Sequence, residues 1–115
     1  MGQGLADVMT TDRLSIKLQA LADPTRRAML AKLRKGEATV NELAAPFDMS
    51  LPAISKHIKV LEKAGLITRT RNAQQRPCAL SPEGLMEVDD WLNAYRDQWL
   101  DRLDRLETYL QTIKE

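Results

Sequence analysis

Aromatic side chains are scarce in this chain, with one Phe, two Trp and two Tyr among 115 residues. That scarcity excludes the aromatic platforms on which single-stranded nucleic acids stack their bases. Cysteine is nearly absent as well. The lone Cys78 cannot close an internal disulfide, and a single thiol suits a reducing compartment. There is one histidine, His57, so neither an imidazole cluster for a metal nor a recognisable Ser-His-Asp set is available. No glycine-rich phosphate loop occurs. No run approaches the roughly 20 apolar residues of a membrane helix. Met1 to Asp12 lacks the basic start and apolar stretch of a secretory signal. These absences predict a cytoplasmic protein, with no membrane partner, no cofactor and no catalytic residues, and not an enzyme.

What is present is charge, unevenly placed. The chain is 29% charged and 43% hydrophobic, with a net charge of +1. Residues 26–76 carry +7, residues 77–115 carry −5 and residues 1–25 carry −1. A basic middle beside an acidic C-terminal third is what a chain shows when its middle faces phosphates. The length predicts one domain over residues 11–115, preceded by a flexible tail at 1–10.

The periodicity predicts five helices and a hairpin. Leu14, Leu18 and Leu21 space a short amphipathic helix from Thr11. Asp23-Pro24 caps a second one running to Lys35, and Gly36 stops it. Thr39 and Glu42 form a capping box for a short third helix bearing Val40, Leu43 and Phe47, curtailed by Pro46. Ser50 caps the fourth, whose buried face is Leu51, Ile54, Ile58 and Leu61, and Gly65 ends it. Leu66–Arg71 alternates as a strand, Asn72–Arg76 is a polar turn, and Pro77–Leu80 is a return strand at an edge. Ser81-Pro82-Glu83 then opens a long helix over 82–114.

That last helix repeats apolar residues at Leu85, Val88, Leu92, Tyr95, Trp99, Leu103, Leu106, Leu110 and Ile113. The steps of three and four approximate a coiled-coil seam. A small domain cannot cover such a seam itself, so a homodimer is expected. Its interface would use Leu92, Tyr95, Trp99, Leu103, Leu106 and Leu110 of that helix, with the first helix around Leu14 and Leu18 as the next place for it. An intramolecular packing helix is the alternative.

Two short helices, a tight turn and an Arg-rich hairpin have the layout of a winged helix-turn-helix. The expected fold is therefore mainly α with a small β-hairpin, a winged helix-turn-helix with a long C-terminal dimerisation helix. The predicted recognition helix offers double-stranded DNA Ser50, Leu51, Pro52, Ala53, Ser55, Lys56, His57 and Lys59. Its small residues allow close approach to base edges, and its Ser and Lys side chains supply donors. The wing offers Arg69, Arg71, Gln74, Gln75 and Arg76 to phosphate or the minor groove. Arg26 and Arg27 suit either phosphate contacts or ion pairs. His57 reads as a structural or phosphate-side residue rather than a metal ligand, and Cys78 as a small packed residue rather than a redox switch. A winged-helix adaptor that binds protein instead of specific DNA is the alternative function; it would not need the +7 segment.

The run Leu21-Ala22-Asp23-Pro24-Thr25-Arg26-Arg27, then Glu42-Leu43-Ala44, then Ser50 through Ile67 resembles the ArsR/SmtB regulators over roughly residues 14–85. Trp91-Leu92, Tyr95-Arg96, Trp99 and Arg102-Leu103-Asp104 resemble a metal-free subgroup with a long C-terminal helix. The resemblance implies a homodimeric repressor, joined through first and last helices, acting at an operator near its own promoter. Metal-sensing members carry Cys-x-Cys directly after Glu-Leu, where this chain has Ala44 and Pro46. Other members place His on the dimer helix, and residues 82–115 contain none. A transition-metal effector is therefore not expected.

Overall fold

In the computed structural model the described residues are 12–71 and 74–114. They form α1 (Arg13–Leu21), α2 (Pro24–Leu33), α3 (Val40–Ala44), α4 (Leu51–Lys63), β1 (Ile67–Arg69), β2 (Cys78–Leu80) and α5 (Pro82–Lys114). The tail at 1–10, the expected helix start at Thr11, and Asn72 and Ala73 of the wing turn lie outside the described residues. Four helices begin on a side-chain cap. The side chains of Asp12, Asp23, Thr39 and Ser50 accept from the backbone N–H of Ser15, Arg26, Glu42 and Ala53 at 2.9, 3.0, 3.2 and 3.3 Å. Each such cap contributes about 1 kcal/mol. Glu42 returns the bond by accepting from Thr39 N–H at 3.0 Å, completing the capping box.

Three boundaries differ from expectation. α2 stops at Leu33 rather than Lys35, because the chain tightens through Lys35 N–H to Lys32 O and Gly36 N–H to Leu33 O. Gly36 then turns at φ +144°, which an L side chain rarely adopts. β1 covers only Ile67–Arg69, and Pro77 stands outside β2, accepting from Thr70 N–H at 3.0 Å. The hairpin is antiparallel, with Ile67 opposite Leu80, Thr68 opposite Ala79 and Arg69 opposite Cys78. A further bridge joins Cys78 to Ala38 just before α3, with bonds of 2.7 and 3.0 Å. This bridge ties the root of the wing to the entry of the helix-turn-helix.

The core lies where these elements converge. Met29, Leu30 and Leu33 of α2, Leu43 of α3, and Ile54, Ile58 and Leu61 of α4 are buried together with Leu66, Ile67 and Cys78. Leu51 was expected among them but is 51% exposed. It is the first residue of α4, and helical side chains lean toward the N-terminus, so this one overhangs the edge of the core.

α5 is seated by contacts that have no local sequence signature. A Cβ on Gly84 would lie 1.9 Å from the carbonyl oxygen of Gly65, so α5 touches the turn after α4 backbone to backbone. Lys17 of α1 is buried and pairs with Glu87 of α5 at 3.3 Å, while Arg13 pairs with the other oxygen of Glu87. Beyond this seat α5 has no cover, and every residue from Ala94 to Lys114 is exposed. That stretch is about 30 Å long. The radius of gyration is accordingly 19.5 Å, against roughly 13 Å for a compact chain of this length.

Candidate nucleic-acid interface

α3, its turn and α4 make the helix-turn-helix, with the apolar face of α4 closed against the core. On the other side Pro52, Lys56 and Lys59 are exposed, while Ala53, Ser55 and His57 are half-buried along the margin. Ser50 is exposed, with its hydroxyl committed to the N-cap. The outward surface at the start of α4 is thus low, made by Pro52 and Ala53, and Lys56 and Lys59 stand one and two turns further on. A helix of this shape can enter a major groove, and its lysines can reach phosphate or base acceptors.

His57 occupies a built environment. Arg26 Nη1 donates to His57 Nδ1 at 3.1 Å, and Asp23 Oδ2 lies 3.9 Å from the same nitrogen. Arg26 is held in turn: its Nε donates to the carbonyl of Ala20 at 2.8 Å and its Nη2 to that of Gln19 at 3.2 Å. Arg26 thereby joins the C-terminal end of α1, the start of α2 and the middle of α4. The sequence offered Arg26 phosphate contacts or ion pairs; the structure instead turns it inward, onto two backbone carbonyls and His57. Arg27 also caps α1, donating to Leu21 O at 2.7 Å, but remains exposed. The backbone N–H of Arg26 holds the Asp23 carboxylate below its ordinary pKa, and the charge of the Arg26 guanidinium adds to the effect.

In the wing, Arg71, Gln74, Gln75 and Arg76 are exposed. Arg69 was expected to face phosphate, but its guanidinium turns back across the hairpin and donates to Arg76 O at 3.1 and 2.8 Å. Arg76 sits at φ +43°, a left-handed conformation uncommon for a residue other than glycine. The two hydrogen bonds from Arg69 therefore fall on the left-handed residue of the turn. Cys78 is fully buried, and desolvation raises its thiol pKa above the ordinary value. A thiol buried and held in its neutral form is less nucleophilic than an exposed thiolate.

The second surface is α5. Tyr95, Trp99, Leu103, Leu106 and Leu110 are each at least half exposed, and Leu92 and Leu18 are exposed to a lesser degree; Leu14 is half-buried. Trp91 meets Tyr95 edge-on at 5.3 Å between centroids, and the Arg102 guanidinium lies 5.8 Å from the Trp99 ring. Among the described residues, no three His, Cys, Asp or Glu side chains are grouped to hold a metal ion. The sequence missed Lys17, Gly84 and the Arg26–His57 contact. Of these only Gly84 carried a signal, as a glycine placed inside a helix.

A short helix, a turn, a second helix with a low basic outer face and a basic hairpin beside it define a winged helix-turn-helix DNA-binding module. Residues 21–70 match a family profile described as a helix-turn-helix domain. The chain is 45% identical over 67 residues to the HTH-type transcriptional regulator Rv2034 of Mycobacterium tuberculosis, covering 58% of this chain and 63% of that protein. It is 37% identical over 89 residues to the arsenic resistance transcriptional regulator ArsR1 of Pseudomonas putida, covering 74% of this chain and 70% of that one. Among solved structures, an ArsR family transcriptional regulator, RHA00566, superposes with a TM-score of 0.71 at 46% identity, over 76% of this chain and 97% of that one. The chain belongs to the ArsR family of winged helix-turn-helix transcriptional regulators.

Proposed function

We propose that the protein is a cytoplasmic, dimeric repressor that binds operator DNA through α4 and the wing, with no enzymatic activity and no transition-metal effector. The observation that carries the DNA reading is the outer face of α4, where Pro52, Lys56 and Lys59 stand free beside the exposed Arg71 and Arg76. The absence of a metal effector rests on donor chemistry. The thiol of Cys78 is buried, the Nδ1 of His57 is taken by Arg26, and Ala44 and Pro46 offer no ligand. No described helix is long and apolar enough to cross a membrane. Residues 11–115 act as one unit in this reading, with 1–10 as a tail.

The dimer reading rests on the uncovered face of α5. Its spacing reads the same in both directions from Trp99: Tyr95, Leu92, Val88 and Leu85 on one side, and Leu103, Leu106, Leu110 and Ile113 on the other. A second copy laid antiparallel with Trp99 at the two-fold would set the exposed Tyr95 against Leu103 and Leu92 against Leu106. Burying a large apolar side chain gains about 1.5–3 kcal/mol, so several per subunit can offset the cost of association. Two tests serve. Fluorescence anisotropy on duplex DNA from upstream of the gene should show affinity falling steeply with salt and exceeding that for random duplex. Sedimentation velocity at micromolar concentration should show a dimer. Salt-independent binding, or a monomer, sinks the corresponding half of the proposal.

A further inference from the structure

We infer that Arg26 is a positioning residue for DNA recognition: it fixes the tautomer of His57, so that the ring presents a permanent Nε2–H donor from α4 to the DNA backbone. The inference rests on the reading that α4 meets DNA. A guanidinium has five donors and no acceptor, so the 3.1 Å contact between Arg26 Nη1 and His57 Nδ1 requires Nδ1 to accept. A neutral imidazole that accepts at Nδ1 carries its proton on Nε2. Arg26 cannot swing away cheaply, because two backbone carbonyls at the end of α1 hold it.

The ring is not sealed off, since the His57 side chain keeps 19% of its surface exposed. Nε2 makes no hydrogen bond within the described residues, and none of their buried side-chain nitrogens or oxygens lacks a partner. His57 lies next to Lys56 and two residues before Lys59, at the edge of the outer face of α4. A single N–H donor at that edge suits one phosphate oxygen, a contact that sets the register of a recognition helix without reading sequence. Arg26 would thus act on DNA without touching it.

The chain has one histidine, so its ring nitrogens can be followed by long-range nitrogen–proton NMR without assignment. The wild-type chain at a pH above the imidazole titration should show one neutral tautomer, protonated at Nε2. Arg26→Ala should give a mixture. The second arm keeps Arg26 and replaces the ring. Gln reproduces the Nε2 donor, and Asn reproduces the Nδ1 acceptor. On a duplex enriched by the wild-type protein from a random pool, His57→Gln should bind within about threefold of wild type. His57→Asn should lose about tenfold, the worth of one hydrogen bond to a charged group, with thermal melts run alongside. An Nδ1–H tautomer in the wild type, or Asn binding better than Gln, overturns the inference. A wild-type protein that enriches no duplex overturns the DNA reading on which it rests, and the NMR arm still decides the role of Arg26.

Discussion

Replacing Gly84 with Ala tests how α5 is anchored. The added methyl would sit 1.9 Å from the carbonyl oxygen of Gly65 and 2.8 Å from its carbon. Both are backbone atoms, so no side chain can rotate aside. Gly65 cannot absorb the strain easily either, since it holds φ +78° at the turn that ends α4. α5 must therefore lift from its seat, loosening Lys17 from Glu87 and the N–H of Ser81 from Leu66 O. Overpacking of this kind costs about 1–3 kcal/mol, and a clash against backbone belongs at the upper end. The gain in helix propensity of Ala over Gly, about 1 kcal/mol, works the other way. A net loss near 2 kcal/mol corresponds to a drop in Tm of roughly 8 °C for a domain of this size. Circular-dichroism melts measure it, with Met86→Ala on the exposed side of the same helix as the control. If Gly84→Ala melts at or above wild type while Met86→Ala is neutral, the backbone contact between α5 and Gly65 is not what seats the helix.

Three further outcomes are expected. Trp99→Asp with Leu103→Asp should give monomers by sedimentation velocity and weak operator binding; if an antiparallel pair is correct, spin labels at position 113 of the wild-type background should lie about 42 Å apart along the axis, against side-by-side labels for a parallel pair. Lys56→Ala and Arg71→Ala should each weaken binding across all DNA sequences and lower the salt slope by about one phosphate with melts unchanged, and normal affinity in both would put DNA on another surface. Stability should hold at neutral pH and fall in acid, because backbone N–H groups lower the pKa of Asp23 and Glu42 in the folded chain; their contribution is present above the ordinary carboxylate range and is lost as pH drops through the folded values. Asp23→Asn with Glu42→Gln should therefore flatten the acid limb of Tm against pH, and an unchanged limb would assign acid sensitivity to other groups.

The helix starts were legible because Asp23, Thr39 and Ser50 act on residues three positions away, and a cap is a local event. The long C-terminal helix was legible for the same reason, since its periodicity is written along one element. Contacts between distant residues were not. Nothing near Lys17 marks it as buried, because its partner lies at Glu87. Nothing near Arg69 shows that its guanidinium folds onto Arg76 O, because an arginine in a hairpin can equally face solvent. Leu51 fitted the apolar spacing of α4, yet the core ends one turn below it, and that limit is set by tertiary packing.

The uncovered length of α5 has a consequence for how the protein responds to its own abundance. Helices in proteins owe most of their stability to packing rather than propensity, and the stretch from Ala94 to Lys114 is exposed throughout. Few local supports are present: an ion pair between Arg105 and Asp101 at 2.6 Å, and hydroxyls of Thr108 and Thr112 bonded to the preceding turn. In the proposed dimer the order of this segment and the association of two chains become one equilibrium. The protein then behaves as a counter of its own copies: at low copy number the distal helix frays and operators stand open, and above a threshold set by that shared equilibrium they close together.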